Sequence, residues 1–177
     1  MSTQHIAVAL QRVQAVLQRR PETGVHDDAP ATAHWEGNSR VVASHANGTQ
    51  LVTDMPTELG GTGDQVTPGW LFRAGVASCS ATSIALAAAA EGIALSVLAV
   101  RVTSRSDTRG LLGMADASGA VVGAGPLSVQ LQVRIAAPGV PAPQLRALVE
   151  RGCRCSPIPN AVSHATPLGL LIEVEAA

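Results

Sequence analysis

The chain has 177 residues, 46% hydrophobic and 14% charged, with a formal net charge of -1. That balance excludes a disordered chain and gives no basic footprint for nucleic acid, while the length suits one domain built around a single core. All 12 basic residues are arginine, so neither a Schiff-base lysine nor a Walker-type phosphate lysine exists, and with no Tyr, one Phe and two Trp there is little aromatic surface for stacking bases or sugars.

Ile6, Val8, Leu10, Val13, Val16 and Leu17 recur mostly at three- and four-residue steps before Arg19, Arg20 and Pro21, which predicts an amphipathic helix. Pro21 to Pro30 has no periodicity and reads as a linker, so residues 1–30 form a helix and linker ahead of a main domain over 31–177. Three extended segments follow, roughly Ala31 to Glu36, Arg40 to His45 and Gln50 to Asp54, separated by the turn dipeptides Gly37-Asn38 and Asn47-Gly48. The glycine-rich loop from Met55 to Val66 matches no complete phosphate-binding motif.

Thr67 as a cap and Pro68 at the first helical position predict a helix reaching Glu91, with Gly92 as its stop. It is apolar on nearly every side, hence buried in the core or at an oligomer interface, and Gly75 is a candidate break ahead of Cys79. Leu95 to Thr103 reads as a strand, and Ser106, Asp107, Arg109 and Gly110 as a polar turn. Leu127, Val129, Leu131, Val133 and Ile135 alternate with polar residues in the clearest two-residue period of the chain. A short helix over Pro141 to Arg151 and a final strand carrying Leu168, Leu170, Ile172 and Val174 complete an α+β chain with antiparallel sheet. The longest unbroken apolar run, Ile84 to Ala90, is short of the roughly 20 residues of a membrane span, and the amino terminus lacks an unbroken apolar signal region; a cytoplasmic protein is expected.

Three cysteines are an odd number, which turns attention to reactive thiols rather than a structural disulfide framework. Cys79 lies among small residues; beyond a break at Gly75 it would face a helix's positive end, though local sequence alone suits a small core residue better. Cys153 and Cys155 flank Arg154, whose charge would favour thiolates, and they are too close together for an ordinary disulfide with each other, so a distant partner such as Cys79 is more natural. The three cysteines and His164 could supply zinc ligands but lack the short CxxC spacing, so no metal is expected. No GxSxG or HExxH element is present.

The run from Asp54-Met55-Pro56 through Gly60-Gly61 and Thr67-Pro68 to Gly75-Val76-Ala77-Ser78-Cys79, then Ala89-Ala90-Glu91-Gly92-Ile93, resembles the OsmC/Ohr family of thiol-dependent peroxide-detoxifying proteins. Ser106-Asp107-Thr108-Arg109-Gly110, Ala124-Gly125-Pro126 and Cys155-Ser156-Pro157-Ile158-Pro159 extend the resemblance in the same order, from about Ala31 to the carboxyl end, and the amino-terminal helix resembles that of one OsmC-like subgroup. The resemblance implies an antiparallel sheet wrapped around a buried central helix and an intertwined homodimer with two active sites at the subunit interface, without a cofactor. It implies that Cys79 attacks the peroxide, that Cys155, or Cys153 if the register slips, resolves the sulfenate, and that Arg40 is the activating cation, with Arg73 as an alternate. The family's carboxylate that orients the arginine stands ten residues before the reactive cysteine, where this chain has Gly69; Glu58 and Asp64 are candidate substitutes. The implied partners are a second copy, an organic hydroperoxide and a dithiol reductant; the alternative is a non-catalytic dimer binding a small apolar ligand.

Overall fold

The computed structural model describes residues 3–175. Helix α1 (Thr3–Arg19) comes first and lies against the long helix α2 (Pro68–Ala90), while Val8, Val13, Val16 and Leu17 of its apolar series stay exposed. Strands β1 (Thr32–Gly37), β2 (Arg40–Ser44) and β3 (Gln50–Thr53) form an antiparallel meander in that order. Its first turn closes with Gly37 opposite Arg40; Asn38 has a φ of 50°, a left-handed conformation that asparagine tolerates better than most residues.

Helix α2 begins as the sequence predicts. The Thr67 hydroxyl accepts the Trp70 amide at 3.2 Å, Pro68 fills the first position, and Gly92 turns the chain away with a φ of 68°. Gly75 does not break it, so Cys79 lies in the interior of a continuous helix and not in a first turn; a glycine costs a helix only about 1 kcal/mol, which packing of the buried stripe beginning at Val76 outweighs. The whole helix is long and apolar enough to cross a membrane by length and composition, yet it is packed against α1 and the elements that follow, as a core helix.

Strands β4 (Val97–Arg105) and β5 (Ser128–Ala136) form a second antiparallel sheet, with Val97 opposite Ala136 and Arg105 opposite Ser128. On β5 the residues expected to point inward are the less exposed ones throughout. Between the two strands the expected polar turn holds a short helix α3 (Thr108–Leu111), capped by the Asp107 carboxylate. Helix α4 (Ala142–Arg154) extends past the expected end at Arg151 and takes Cys153 into its last turn. Helix α5 (Pro157–Ser163), absent from the sequence reading, follows at once.

One stripe of α2, Val76, Ser80, Ile84 and Ala88, is buried at four-residue steps. Ala88 joins Ile93, Leu145 and Leu148 in the hydrophobic core, with Leu95, Ile135 and Val140 packed around them. The other side of α2 is less covered: Trp70, Phe72 and Leu86 are exposed, so the helix buries one face within the chain rather than all faces. The final strand is also not formed. Residues 165–175 have no ladder partner, and Leu168, Leu170, Leu171 and Val174 each keep at least 85% of their surface exposed. Alternation gives a segment two faces, but a strand exists only where another strand's edge receives its hydrogen bonds.

Helix α4 closes tightly on α2. A Cβ on Gly152 would stand 2.7 Å from the Ile84 Cα and 2.8 Å from its Cγ1, atoms that are backbone or buried and have no room to retreat. Gly152→Ala is therefore expected to lower stability by about 1–3 kcal/mol in urea unfolding, the usual range for overpacking. Gly125→Ala, where a Cβ meets nothing within 4 Å, is expected to leave stability nearly unchanged.

Candidate functional site

Cys79 is half-buried on the flank of α2, beside the buried stripe. Two groups from the junction of α4 and α5 reach its sulfur. The Ser156 hydroxyl donates to Cys79 Sγ at 3.2 Å and the Ile158 amide donates at 3.4 Å. Ser156 is fully buried, and its own position is held by the chain around it: its amide donates to the Cys153 carbonyl at 3.1 Å, and its carbonyl accepts from the Asn160 side chain at 2.8 Å. The two donors fix the orientation of the sulfur against the α4–α5 junction.

The other two cysteines are elsewhere. Cys153 borders an open apolar cavity of about 420 Å³ with Val76, Val129, Leu131, Val162 and His164. Burial pushes its thiol up from the ordinary value, so Arg154 next to it in sequence does not make it a favoured thiolate. Cys155 is exposed and borders a different cavity, between α1 and the far half of α2, with Leu10, Gln14, Ser83 and Leu86. Neither is hydrogen-bonded to Cys79, and the side chain of this stretch that touches the Cys79 sulfur is that of Ser156, which holds the slot before Pro157 where the family resemblance places a cysteine. The signal was in the sequence: Ser156, not Cys155, immediately precedes Pro157. Among the described residues the cysteines and His164 form no cluster of metal ligands.

Arg40 opens β2 and belongs to a second polar cluster. Its Nη2 donates to the Asp64 carboxylate at 2.6 Å and to the Thr62 hydroxyl at 3.1 Å, and lies 3.6 Å from Asp54. Asp54 is buried, and its carboxylate accepts the Ser39 hydroxyl, the Met55 amide at 2.8 Å, and the Thr62 amide and hydroxyl at 3.0 and 2.6 Å. This carboxylate organises the glycine-rich loop, and a Cβ on Gly61 would collide with the Met55 carbonyl beside it. Of the two candidate substitutes for the carboxylate missing at Gly69, Asp64 holds Arg40, while Glu58 takes a hydrogen bond from Thr57. Arg73 donates to Ser104 on β4 at 3.2 Å, with one guanidinium nitrogen 3.7 Å from where a Gly69 side chain would begin. Among the described residues Arg40 and Cys79 share no partner, and the meander bearing Arg40 does not pack extensively on the core that bears Cys79.

A family model described as OsmC-like protein matches residues 61–170, more than half of the chain and spanning both Cys79 and Ser156. The chain belongs to the OsmC-like family. Solved OsmC-like structures share its fold: one from Mycoplasma pneumoniae matches with a TM-score of 0.65 at 19% identity, covering 80% of this chain and 91% of that one. An organic hydroperoxide resistance protein OsmC from Legionella pneumophila gives 0.55 at 24% identity, covering 78% of this chain and 90% of that one. The organic hydroperoxide resistance protein OhrB of Bacillus subtilis gives 0.51 at 17% identity, covering 78% and 93%. No curated protein matches the sequence.

In this OsmC-like chain the hydroxyls of Ser39 and Thr62 hold the Asp54 carboxyl well below the usual range, and Asp64 is lowered by the Thr62 hydroxyl it shares with Asp54 and then by Arg40. A carboxyl with a depressed pKa stabilises the fold above its unfolded value and loses that contribution as pH falls through its folded one. The thermal midpoint should therefore decline as pH drops below about 4, the unfolded carboxyl value. Asp54→Ala should melt at a lower temperature than wild type at pH 7 and decline less steeply with acid, as read by circular dichroism melts across pH.

Proposed function

We propose that the protein is a thiol-dependent peroxidase of the cytoplasm that reduces organic hydroperoxides, with Cys79 as the attacking residue. The observation that carries this reading is the Cys79 sulfur, half-buried and receiving two hydrogen bonds from Ser156 and Ile158. A sulfur nucleophile held in that way has a fixed orientation toward an incoming peroxide. Membership of the OsmC-like family and likeness to proteins named for organic hydroperoxide resistance support the same substrate class.

The working unit in this proposal is a homodimer with its active sites at the subunit interface. Support comes from what one chain leaves open: the apolar residues 168–174 without a strand partner, the exposed face of α2, and a meander that has little core of its own to rest on. A second copy would supply sheet edges for the first and cover for α2, and it would bring a cation such as Arg40, held by Asp64, toward the other chain's Cys79.

Wild-type protein with dithiothreitol is expected to consume cumene hydroperoxide steadily, and Cys79→Ser to lose that turnover by at least about a hundredfold, as nucleophile removal does. Retained turnover in Cys79→Ser would refute the proposal. The second reading, an apolar-ligand binder without catalysis, is favoured by one observation, the glycine in place of a carboxylate at position 69. It predicts that Cys79 reacts with peroxide no faster than free cysteine, which stopped-flow thiol kinetics decides. The dimer is checked by sedimentation: wild type should run as two copies at micromolar concentration, and a chain cut after His164 should shift toward one.

A further inference from the structure

The peroxidase reading leaves open how the oxidised Cys79 is returned to its thiol, and the site's geometry bears on that step. Ser156 is the fully buried group that touches the Cys79 sulfur from the α4–α5 junction. The backbone is extended at Ser156, with φ -90° and ψ 112°, and turns at Cys155, with φ -94° and ψ 8°. The two side chains lie in different surroundings: Cys155 is exposed beside Leu10 and Gln14 of α1, while Ser156 Oγ stands 3.2 Å from Cys79 Sγ. Cys153 is fixed in the last turn of α4, in the cavity beneath Val129 and Leu131. Turning Cys155 inward would require evicting Ser156 from a slot that Asn160 and the Cys153 carbonyl hold on both sides.

We infer that Ser156 is a catalytic hydrogen-bond donor to the Cys79 thiolate, that it occupies the place a resolving thiol would need, and that the protein runs a one-cysteine cycle resolved by an external thiol. This rests on the peroxidase reading for its first step. The Cys79 thiolate attacks the distal peroxide oxygen; an S–O bond forms, the O–O bond breaks, and the alkoxide takes a proton to leave as alcohol. The sulfur has given two electrons and is a sulfenic acid. A thiol of a small dithiol then attacks that sulfur, forming a mixed disulfide as the S–O bond breaks and hydroxide leaves with a proton as water. The dithiol's second thiolate attacks its own sulfur in the mixed disulfide, closing a cyclic disulfide and releasing the Cys79 thiolate. The Ser156 hydroxyl and the Ile158 amide stabilise the thiolate at the start and as the leaving group at the end.

Four measurements on the full-length protein test this. One equivalent of cumene hydroperoxide should consume one thiol per chain and leave Cys79 as a dimedone-trappable sulfenic acid. The double variant Cys153→Ser/Cys155→Ser should keep wild-type turnover with dithiothreitol. An intramolecular disulfide from Cys79, or loss of turnover in a double variant whose circular dichroism and melting match wild type, would overturn the one-cysteine cycle. Ser156→Ala should slow alkylation of Cys79 at neutral pH by roughly ten- to a hundredfold and move its pH profile upward, the scale of a hydrogen bond to a charged group, with Ser156→Thr restoring much of the rate. An unmoved profile would overturn the donor role. Ser156→Cys places a thiol against Cys79 and should give a disulfide between them with diamide, an oxidant that needs no peroxidase activity; failure to form it overturns the placement. If instead wild-type Cys79 reacts with peroxide no faster than free cysteine while that diamide-driven disulfide forms, the geometry stands, and the peroxidase reading falls together with the cycle built on it.

Discussion

The contact between Gly152 and Ile84 sets the positions of most other parts of the site. Followed backward from Ala88 through Ile84 to Cys79, helix α2 meets a facing chain that runs forward from Leu148 through Gly152 to Ser156. The core residues fix one end of this antiparallel register, and the missing side chain at Gly152 lets the helices close in its middle. The chain leaving α4 then delivers a buried hydroxyl to a sulfur at the other end. The Arg151–Glu91 ion pair ties the same two helices at their surface, but it is partly exposed and adds far less than the packing beneath it. The hydrogen bonding at Cys79 is in this sense a consequence of helix packing: a shift of α4 along α2 by one residue would carry Ser156 out of reach of the sulfur.

What the sequence discloses follows from the range of the forces involved. Caps and stops act within one turn, so Thr67-Pro68 and Gly92 located both ends of α2. The alternation on β5 acts within one strand and likewise survived. Gly75 misled because a glycine's helix penalty is about 1 kcal/mol, and packing of the stripe from Val76 to Ala88 outweighs it. Helix α5 was hidden because Pro157 and Pro159 suggest a turn, although proline in a first helical turn gives up no hydrogen bond. The alternation over 168–174 was read correctly as pattern and wrongly as a formed strand, since pairing is decided by a neighbouring edge that the chain itself does not offer.

The site was partly legible in the same way. Cys79 was found because it lies in an ordered series of short motifs, each tied to the chain beside it. The assignment around Cys153, Arg154 and Cys155 rested on adjacency in sequence, which says little about which way side chains face at a helix end. Burial raises the Cys153 thiol despite the neighbouring guanidinium, because a charge pointing to water is screened while loss of hydration is not. The arginine cluster shows the opposite case. A glycine at position 69 removes one carboxylate, but Asp64 approaches Arg40 from the loop that Asp54 folds, so the cation is held by a residue with a different place in the sequence and an equivalent charge.

That substitution and the one at Ser156 point in the same direction. Both leave the nucleophile and its donors in place while altering the groups that serve it, one that orients a cation and one that would trap the oxidised sulfur. A hydroxyl can replace a thiol as a donor to sulfur, since both geometry and polarity carry over, but it cannot form a disulfide. In the proposed peroxidase cycle the exchange would preserve the attack on peroxide and alter only recovery, moving it from a thiol carried by the protein to one arriving from outside. Such recovery requires the oxidised sulfur to be reachable by a second molecule, and Cys79, half-buried on the flank of α2 rather than sealed in its core stripe, meets that requirement.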